Sequence, residues 1–497
     1  MPGSEAVTPF FAWLLEWAFY GVIACFAVYV LLELRMIRVS SKAKGCRLSE
    51  VCLRPEGEEC LFPRVAVLLP VCNESDVIRR LVDAVCALEY PREKLEIAVL
   101  DDSTDVTSDL AKALVEEHAA KGVNIRYLKR RSRRCSKAGN LSYGVAQIDA
   151  EFLAIFDADF VPPRDFLLKT IPCFQDPRLG FLQTGIDYEN RNASFLTQFQ
   201  AMEMGHQQFV TVGLSEEGNM ASLSGSSCVW RRACMEAMGG WKAATATEDV
   251  DIGYKAQLGD WKYAYLKDVV SMSILPETVS AFRVQRERWG RGLIHSAFRH
   301  GGQMLRKEMP LLKRLHAVSM MFSSLLLASI YCLFLLSLPL TLFMQFEGVG
   351  FVLASLAFFA LVAVWGFANL AGSPMWEDFA GGRGALRTFP HVYAYVSLFL
   401  PMALYYFVGG IRAAQGVFEE FNRTPKCGDE ACGERPRIDA WLHGGEIFSF
   451  AYAVLTTVAG VMTGNVVLLP ISVTACLGFG MILRWGMRDR RKRGGSQ

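Results

Sequence analysis

Apolar positions follow two regimes along the chain. Phe10 to Leu32 is one apolar run broken only by Glu16, about as long as a helix needs to cross a bilayer. Residues 60–300 instead alternate short β-branched runs with longer helical patterns, as an α/β domain does. Beyond residue 314 the charges vanish again. Leu315–Phe346 and Gly348–Trp376 carry none, and Thr388–Ile411 is a further uncharged run. Ile447–Leu483 holds 37 uncharged residues with Pro470 among them, just enough for a tight helical hairpin.

Within 60–300 the pattern predicts strands at Val65–Leu69, Ile97–Leu100, Ile125–Leu128 and Phe152–Phe156. Three of them end in polar clusters: Pro70 to Glu74, Asp101 to Asp105, and Asp157-Ala158-Asp159. An open, mostly parallel sheet places its ligand at the carboxyl ends of its strands, so the pattern predicts a Rossmann-like nucleotide site there.

Flanking charge orients the apolar runs. No Lys or Arg precedes the first run, whereas Arg35, Arg38, Lys42, Lys44 and Arg47 follow it. The positive-inside rule then places the N-terminus outside and residue 35 onward in the cytosol. No small-residue cleavage site follows the run, which reads as an anchor. The basic tail, Arg484 to Arg493, is also cytosolic by this rule, so the number of later spans is even. If Ile447–Leu483 crosses twice, the loop 412–446 is cytosolic. Thr388–Ile411, interrupted by Pro390, Pro401 and Gly409-Gly410, then lies in the interface or re-enters. Alternatively that run spans and the last region crosses once, strongly tilted. The expected organisation is an anchor (1–35), a cytosolic domain (60–300), and an interfacial helix plus transmembrane helices (301–497).

Composition agrees. Of 497 residues 52% are hydrophobic, and the mean hydropathy of +0.23 requires a membrane-embedded share. With 52 Lys+Arg against 50 Asp+Glu, the net charge of +2 gives no support for a nucleic-acid partner. The fourteen cysteines form no CxxC pair, which argues against a disulfide framework and for reduced thiols. Cys427, Cys432 and His443 make at most half a zinc site.

The chemistry concentrates in six places. Asp157 and Asp159, at i and i+2 on a strand-end turn, can hold Mg²⁺ together with substrate phosphates. Asp101-Asp102 ends an earlier strand, where a carboxylate can accept from a base or a ribose hydroxyl. Pro70, Asn73 and Glu74 end the first strand beside it. Lys137-Ala138-Gly139-Asn140 follows the basic run Lys129 to Arg134 and can bring charge and close backbone to a diphosphate. Thr247-Glu248-Asp249 follows, and Asp249 with Val250, Asp251 and Ile252 reads as the start of an amphipathic helix. Gln285, Arg288 and Trp289 stand at i, i+3 and i+4 and share a helical face, with a Trp ring to stack on sugar and an Arg to hold a departing phosphate. Apart from the end of the first strand, each has an ordinary structural alternative: an acidic turn, an Asx turn, a solvated basic turn, a helix cap, an interfacial helix.

In this order the motifs LDDSTD (100–105), KAGN (137–140), FDADF (156–160) and QRERW (285–289) are specific. The sequence resembles the membrane-integrated family 2 glycosyltransferases, the group containing cellulose, hyaluronan and chitin synthases. The wording is most similar to the plant cellulose-synthase-like A and C branches and their bacterial relatives, which make mannan, glucomannan or β-glucan. The resemblance implies a glycosyltransferase A-type fold and a set of roles. Asp101 and Asp102 would meet the nucleoside and Lys137 the diphosphate. Asp157 and Asp159 would bind Mg²⁺ or Mn²⁺. Asp249, with Glu248 beside it, would be the general base. Gln285, Arg288 and Trp289 would edge the acceptor site. Phe421-Asn422-Arg423-Thr424-Pro425-Lys426 is similar to the FxVTxK gating loop, with Arg423 in place of Val, and would bring Phe421, Thr424 and Lys426 to the nucleotide. Ser224-Gly225-Ser226 falls where cellulose synthases show an FxCGS-type acceptor motif, but the aromatic and the Cys are missing, which loosens any claim to a cellulose acceptor.

The implied function is processive, inverting polymerisation of a nucleotide sugar into a β-linked polysaccharide and its secretion. UDP-glucose is the favoured donor and GDP-mannose the alternative. The expected location is a bacterial inner membrane or its equivalent, with the catalytic domain cytosolic and room for an accessory subunit. The rivals are a single transfer to a lipid acceptor and a transporter or scaffold with a decayed nucleotide fold.

Overall fold

The computed structural model describes residues 7–43, 62–131, 136–242, 245–343, 349–371, 385–416, 437–465 and 467–494. Phe421, Thr424 and Lys426, and with them Cys427 and Cys432, lie outside these residues.

After helix α1 (Val7–Ser40), the α/β domain runs β1 (Val65–Val71), α2 (Ile78–Cys86), β2 (Leu95–Asp101), α3 (Thr107–Ala120), β3 (Ile125–Lys129), α4 (Ser136–Ala146) and β4 (Phe152–Ile155). It continues through α5 (Phe166–Thr170), β5 (Leu179–Tyr188), α6 (Phe195–Glu216), β6 (Cys228–Arg231), α7 (Arg232–Ala237), α8 (Glu248–Leu258) and β7 (Lys262–Ser273). The seven strands lie in the order β3-β2-β1-β4-β6-β5-β7. All pairings are parallel except those of β6, which runs antiparallel to both β4 and β5. The four predicted strands are β1 to β4.

Every residue of β1 is buried, and its side chains divide by parity. Val65, Val67, Leu69 and Val71 join one core, and Ala66 and Leu68 the other. A central parallel strand covered on both faces has this near-continuous apolar composition. The sheet therefore presents the ends of β1, β2 and β4 at a single edge.

Long helices follow: α9 (Val279–Arg306), α10 (Leu311–Phe343), α11 (Val349–Ala371), α12 (Ala385–Ser397), α13 (Phe399–Ala414), α14 (Arg437–Thr463) and α15 (Leu469–Gly494). Among the described residues, six stretches are long and apolar enough to cross a membrane: in α1, α10, α11, α12 with α13, α14 and α15. The chain is an integral membrane protein. The expected hairpin is α14 and α15, with Pro470 in the first turn of α15 where its missing N–H costs least. The domain boundary expected at 300 falls inside α9, and the loop expected to end at 446 ends earlier, because α14 begins at Arg437.

Thr388–Ile411 is divided between α12 and α13, which break at Leu398. Helix α13 lies directly on α9. A Cβ added at Gly409 would come 2.7 Å from the Arg291 nitrogen, and one at Gly290 2.8 Å from the Tyr406 Cα. Two glycines thus let the backbones meet, and a charged helix holds this apolar one.

Candidate active site

One cavity of about 250 Å³ opens at the carboxyl edge of the sheet. Pro70 and Glu74 reach it from the end of β1, Asp102 from β2, and Lys137 from α4. Asp157 and Asp159 follow β4, Glu248 and Asp249 open α8, and Gln285, Arg288 and Trp289 come from α9. Residues more than 200 positions apart therefore share one wall.

Two expected residues do not line it. Asp101 is wholly buried beneath the β2 turn, where it accepts from the Ser103 nitrogen (2.8 Å), Ser108 Oγ (2.6 Å) and Tyr127 Oη (2.6 Å). Burial alone would raise its pKa, but these donors hold the carboxyl below its ordinary value. Asp101 shapes the turn that presents Asp102. Asn73 takes a left-handed φ of 56° and ties the β1 loop to the β2 loop, donating its N–H to Ser103 Oγ (2.8 Å) and accepting from the Thr104 nitrogen (2.8 Å). Both acidic and amide side chains were legible as polar; that they serve the turns rather than the cavity was not.

Asp102 itself is held by Arg130 through two parallel bonds, Nε to Oδ1 at 2.8 Å and Nη2 to Oδ2 at 2.6 Å. Lys137 Nζ lies 2.6 Å from Asp157 Oδ1, 3.9 Å from Glu248 Oε1, and donates to the Gly225 carbonyl at 3.1 Å. Burial would lower the Lys137 pKa, yet Asp157, Glu248 and Asp249 more than offset it and raise the ammonium above its ordinary value. Lys137 is thus a fixed cation among three carboxylates. The Glu248 carboxyl is raised, first by burial and then by the charge of Asp249 beside it. Burial and a like charge acting together in a cleft mark a candidate functional site.

Asp157 and Asp159 fit a divalent cation by donor chemistry. They supply two hard carboxylate groups to one cavity, and Asp159 is oriented by Ser273, whose Oγ donates to its Oδ2 at 2.7 Å. No group of three or more His, Cys, Asp or Glu among the described residues could hold an ion unaided, so water or substrate oxygens would complete the shell.

Several contributors were missed. Arg286 lies inside QRERW but off the i, i+3, i+4 face, and it also lines the cavity. Its guanidinium sits 4.4 Å from the Trp289 ring centre and 5.1 Å from that of Phe282, and meets Glu203 of α6 at 2.5 and 3.0 Å. Spacing alone could not find Glu203, 83 residues away. The opposite face of α9 bears Glu287, which accepts from Arg412 at 2.7 Å, and Arg283, which pairs with Asp439 (3.0 Å) and Glu446 (2.5 Å). His443 stands in that group, 3.3 Å from Arg283.

A largely parallel sheet with one antiparallel insertion, acidic strand ends and a cationic–aromatic helix over the cavity defines a glycosyltransferase A-type domain. Residues 63–292 match the family model described as "Glycosyltransferase like family 2". This chain therefore carries a family 2 glycosyltransferase domain joined to apolar helices. It is 37% identical over 287 residues to the "Probable glucomannan 4-beta-mannosyltransferase 6" of Oryza sativa subsp. japonica, covering 56% of this chain and 49% of that one. It is 36% identical over 269 residues to the "Glucomannan 4-beta-mannosyltransferase 1" of Cyamopsis tetragonoloba, covering 52% and 51%. The chain thus spans about half the length of the curated relatives it matches. Among solved structures, the mannosyltransferase from Pyrobaculum calidifontis in complex with GDP-Man and Mn²⁺ shares the fold, with a TM-score of 0.51 at 19% identity, covering 81% of this chain and 99% of that one.

Proposed function

We propose that this protein transfers mannose from GDP-mannose, with inversion, to a growing β-linked mannan or glucomannan at the cytosolic face of a membrane. The convergence of Asp102, Lys137, Asp157, Asp159, Asp249, Arg288 and Trp289 on one cavity carries the sugar-transfer part of this proposal. The donor rests on the relatives. Residues alone favour UDP-glucose slightly, but the mannosyltransferase names of relatives at 36–37% identity support GDP-mannose instead.

In the proposed mechanism Asp249 takes the proton of the acceptor hydroxyl as that oxygen attacks the anomeric carbon. A positioned base of this kind contributes ~10²–10⁴-fold. Lys137 and Arg288 face charge developing on the departing diphosphate, in a partly dry cavity where fixed cations act strongly. A cation held by Asp157 and Asp159 would add neutralising charge at the same oxygens. Trp289 offers its ring to the acceptor sugar, braced by Arg286. The packing of α13 on charged α9 favours an interfacial or re-entrant course for 388–411, with an even number of spans between the domain and the basic tail.

Purified full-length protein in detergent should be given radiolabelled GDP-mannose or UDP-glucose with Mg²⁺ or Mn²⁺. The expected product is a polymer labelled from GDP-mannose and cut by a β-mannanase. Incorporation of glucose alone would overturn the donor assignment, and a product of one sugar on lipid would overturn polymerisation. Asp249→Asn should bind donor normally and lose transfer; retained turnover removes Asp249 from the base role.

A further inference from the structure

A second, larger cavity of about 540 Å³ lies between α6 and the apolar helices α1, α10, α11, α12, α13 and α15. Most of its wall is hydrocarbon, from residues such as Phe26, Leu326, Ile330, Phe358, Val362 and Phe399. Its carboxylates and its histidine lie where α6 and α1 meet, while single hydroxyl and amide groups such as Ser324, Asn369 and Thr474 are scattered over the other helices. Helix α6 turns Glu203, His206 and Gln207 into the space, and Glu33 enters from α1. Glu33 accepts from Tyr29 Oη and from Trp365 Nε1 (2.9 Å), and its Oε2 lies 3.4 Å from His206 Nε2.

That last contact fixes what the imidazole can do next. With the Glu33 oxygen accepting, Nε2 carries the hydrogen, and in that tautomer Nδ1 is an acceptor. His206 is 4% exposed and lines the cavity, yet Nδ1 finds no hydrogen-bond partner among the described residues. A buried acceptor left unsatisfied is costly and points to a missing donor.

We propose that this cavity binds a neutral lipid alcohol, its hydrocarbon body among the apolar helices and its hydroxyl donated to His206 Nδ1. Each alternative chemistry meets a specific obstacle. A glycan needs polar partners along its whole length, and these walls are mainly Leu, Ile, Val and Phe. A phosphodiester head brings negative charge and acceptors to a place already holding Glu33, Glu203 and an acceptor nitrogen. A free O–H on an alkyl body satisfies both halves of the cavity. The occupant would sit one ion pair from the catalytic wall, because Glu203 lines this cavity while its partner Arg286 lines the other.

The test requires no turnover, so it can fail or succeed independently of the proposed sugar chemistry. Full-length protein in detergent is titrated with 1,2-dioleoylglycerol or with dioleoylphosphatidylcholine, which has the same chains and no free hydroxyl, and read by native mass spectrometry. One retained dioleoylglycerol per chain is expected, with phosphatidylcholine at least tenfold weaker. His206→Leu should weaken dioleoylglycerol at least tenfold, and Val362→Trp should abolish it, in variants whose elution volume and melting match wild type. Should either variant fail to fold, the wild-type preference between the two lipids decides alone. Equal retention of both lipids, binding unchanged in folded His206→Leu, or displacement of the lipid by a β-mannooligosaccharide would overturn the proposal.

Discussion

A Cβ added to Gly225 would stand 2.7 Å from Asp249 Oδ2 and 2.9 Å from Asp249 Cβ. The same glycine's carbonyl accepts from Lys137 at 3.1 Å. The loop before β6 therefore touches both the proposed base and Lys137, the cation proposed to face the diphosphate, and only a residue without a side chain lets it. Gly225→Ala should push Asp249 aside. A displacement near 1 Å costs on the order of 10²-fold in turnover. The expected result is that fall in kcat with donor affinity little changed, checked by initial rates and by nucleotide titration. Equal losses in both would mean that the loop supports the whole cavity rather than the base.

Arg286 has two tasks that lysine cannot combine. Its planar guanidinium stacks between Trp289 and Phe282 and simultaneously meets both Glu203 oxygens. Arg286→Lys keeps the charge and loses the stack and the fork. Desolvated cation–π contacts are worth about 2 kcal/mol, roughly 30-fold. Because Trp289 is the acceptor platform in this scheme, the loss should appear as a raised acceptor KM and shorter polymer, while donor KM holds. Product sizing on a gel checks it.

Glu248 gives a pH prediction with a definite sign. Its carboxyl pKa is raised by burial and by Asp249, so the folded chain binds that proton more tightly than the unfolded chain does. Stability from this group is complete below the ordinary glutamate value and is lost as pH rises through the raised one. Melting temperature should therefore fall with pH across that window in wild type, with nucleotide and metal absent. Glu248→Gln cannot titrate and should show a flatter profile there. A wild-type profile no steeper than that of the variant would show that the carboxyl is not shifted.

The parts of this structure that were legible from sequence are those written in local pattern. Strands β1 to β4 are uninterrupted apolar runs closed by polar residues, and the helix start at Glu248 sits within one residue of the expected Asp249. Strands β5, β6 and β7 were not legible. Strand β6 is only Cys228–Arg231, and β7 carries Lys262, Lys267 and Asp268, with a register shift against β5 where Thr184 gives way to Gly185. Mixed polarity of that kind reads as loop or helix. In the site, motif residues announced themselves, whereas Arg130, Glu203 and Ser273 act through contacts 28, 83 and 114 positions distant that no spacing rule reaches. Asp101 illustrates the opposite failure: its motif position suggested substrate, and its three donors show a turn.

The back of α9 suggests how the site is held in register. Arg283 is tied to Asp439 and Glu446 of α14, Tyr405 donates to the same Glu446, and Glu287 is tied to Arg412 at the end of α13. The described residues on either side of 417–436 are thus both fastened to the helix that carries Gln285, Arg288 and Trp289. Arg283, Asp439 and Glu446 are all buried, so removing Glu446 leaves Arg283 with Asp439 alone and the Tyr405 hydroxyl without its acceptor, at a cost of about 1–3 kcal/mol. Glu446→Ala should lower the melting temperature accordingly. If the network also positions α9, the fraction that remains folded at the assay temperature should show reduced kcat with donor affinity intact. Glu446→Gln, which keeps an acceptor for Arg283 and Tyr405, should recover part of both. A folded Glu446→Ala protein with full kcat would confine these ion pairs to stability and leave the face of α9 that lines the cavity to be set by α6 through Glu203 alone.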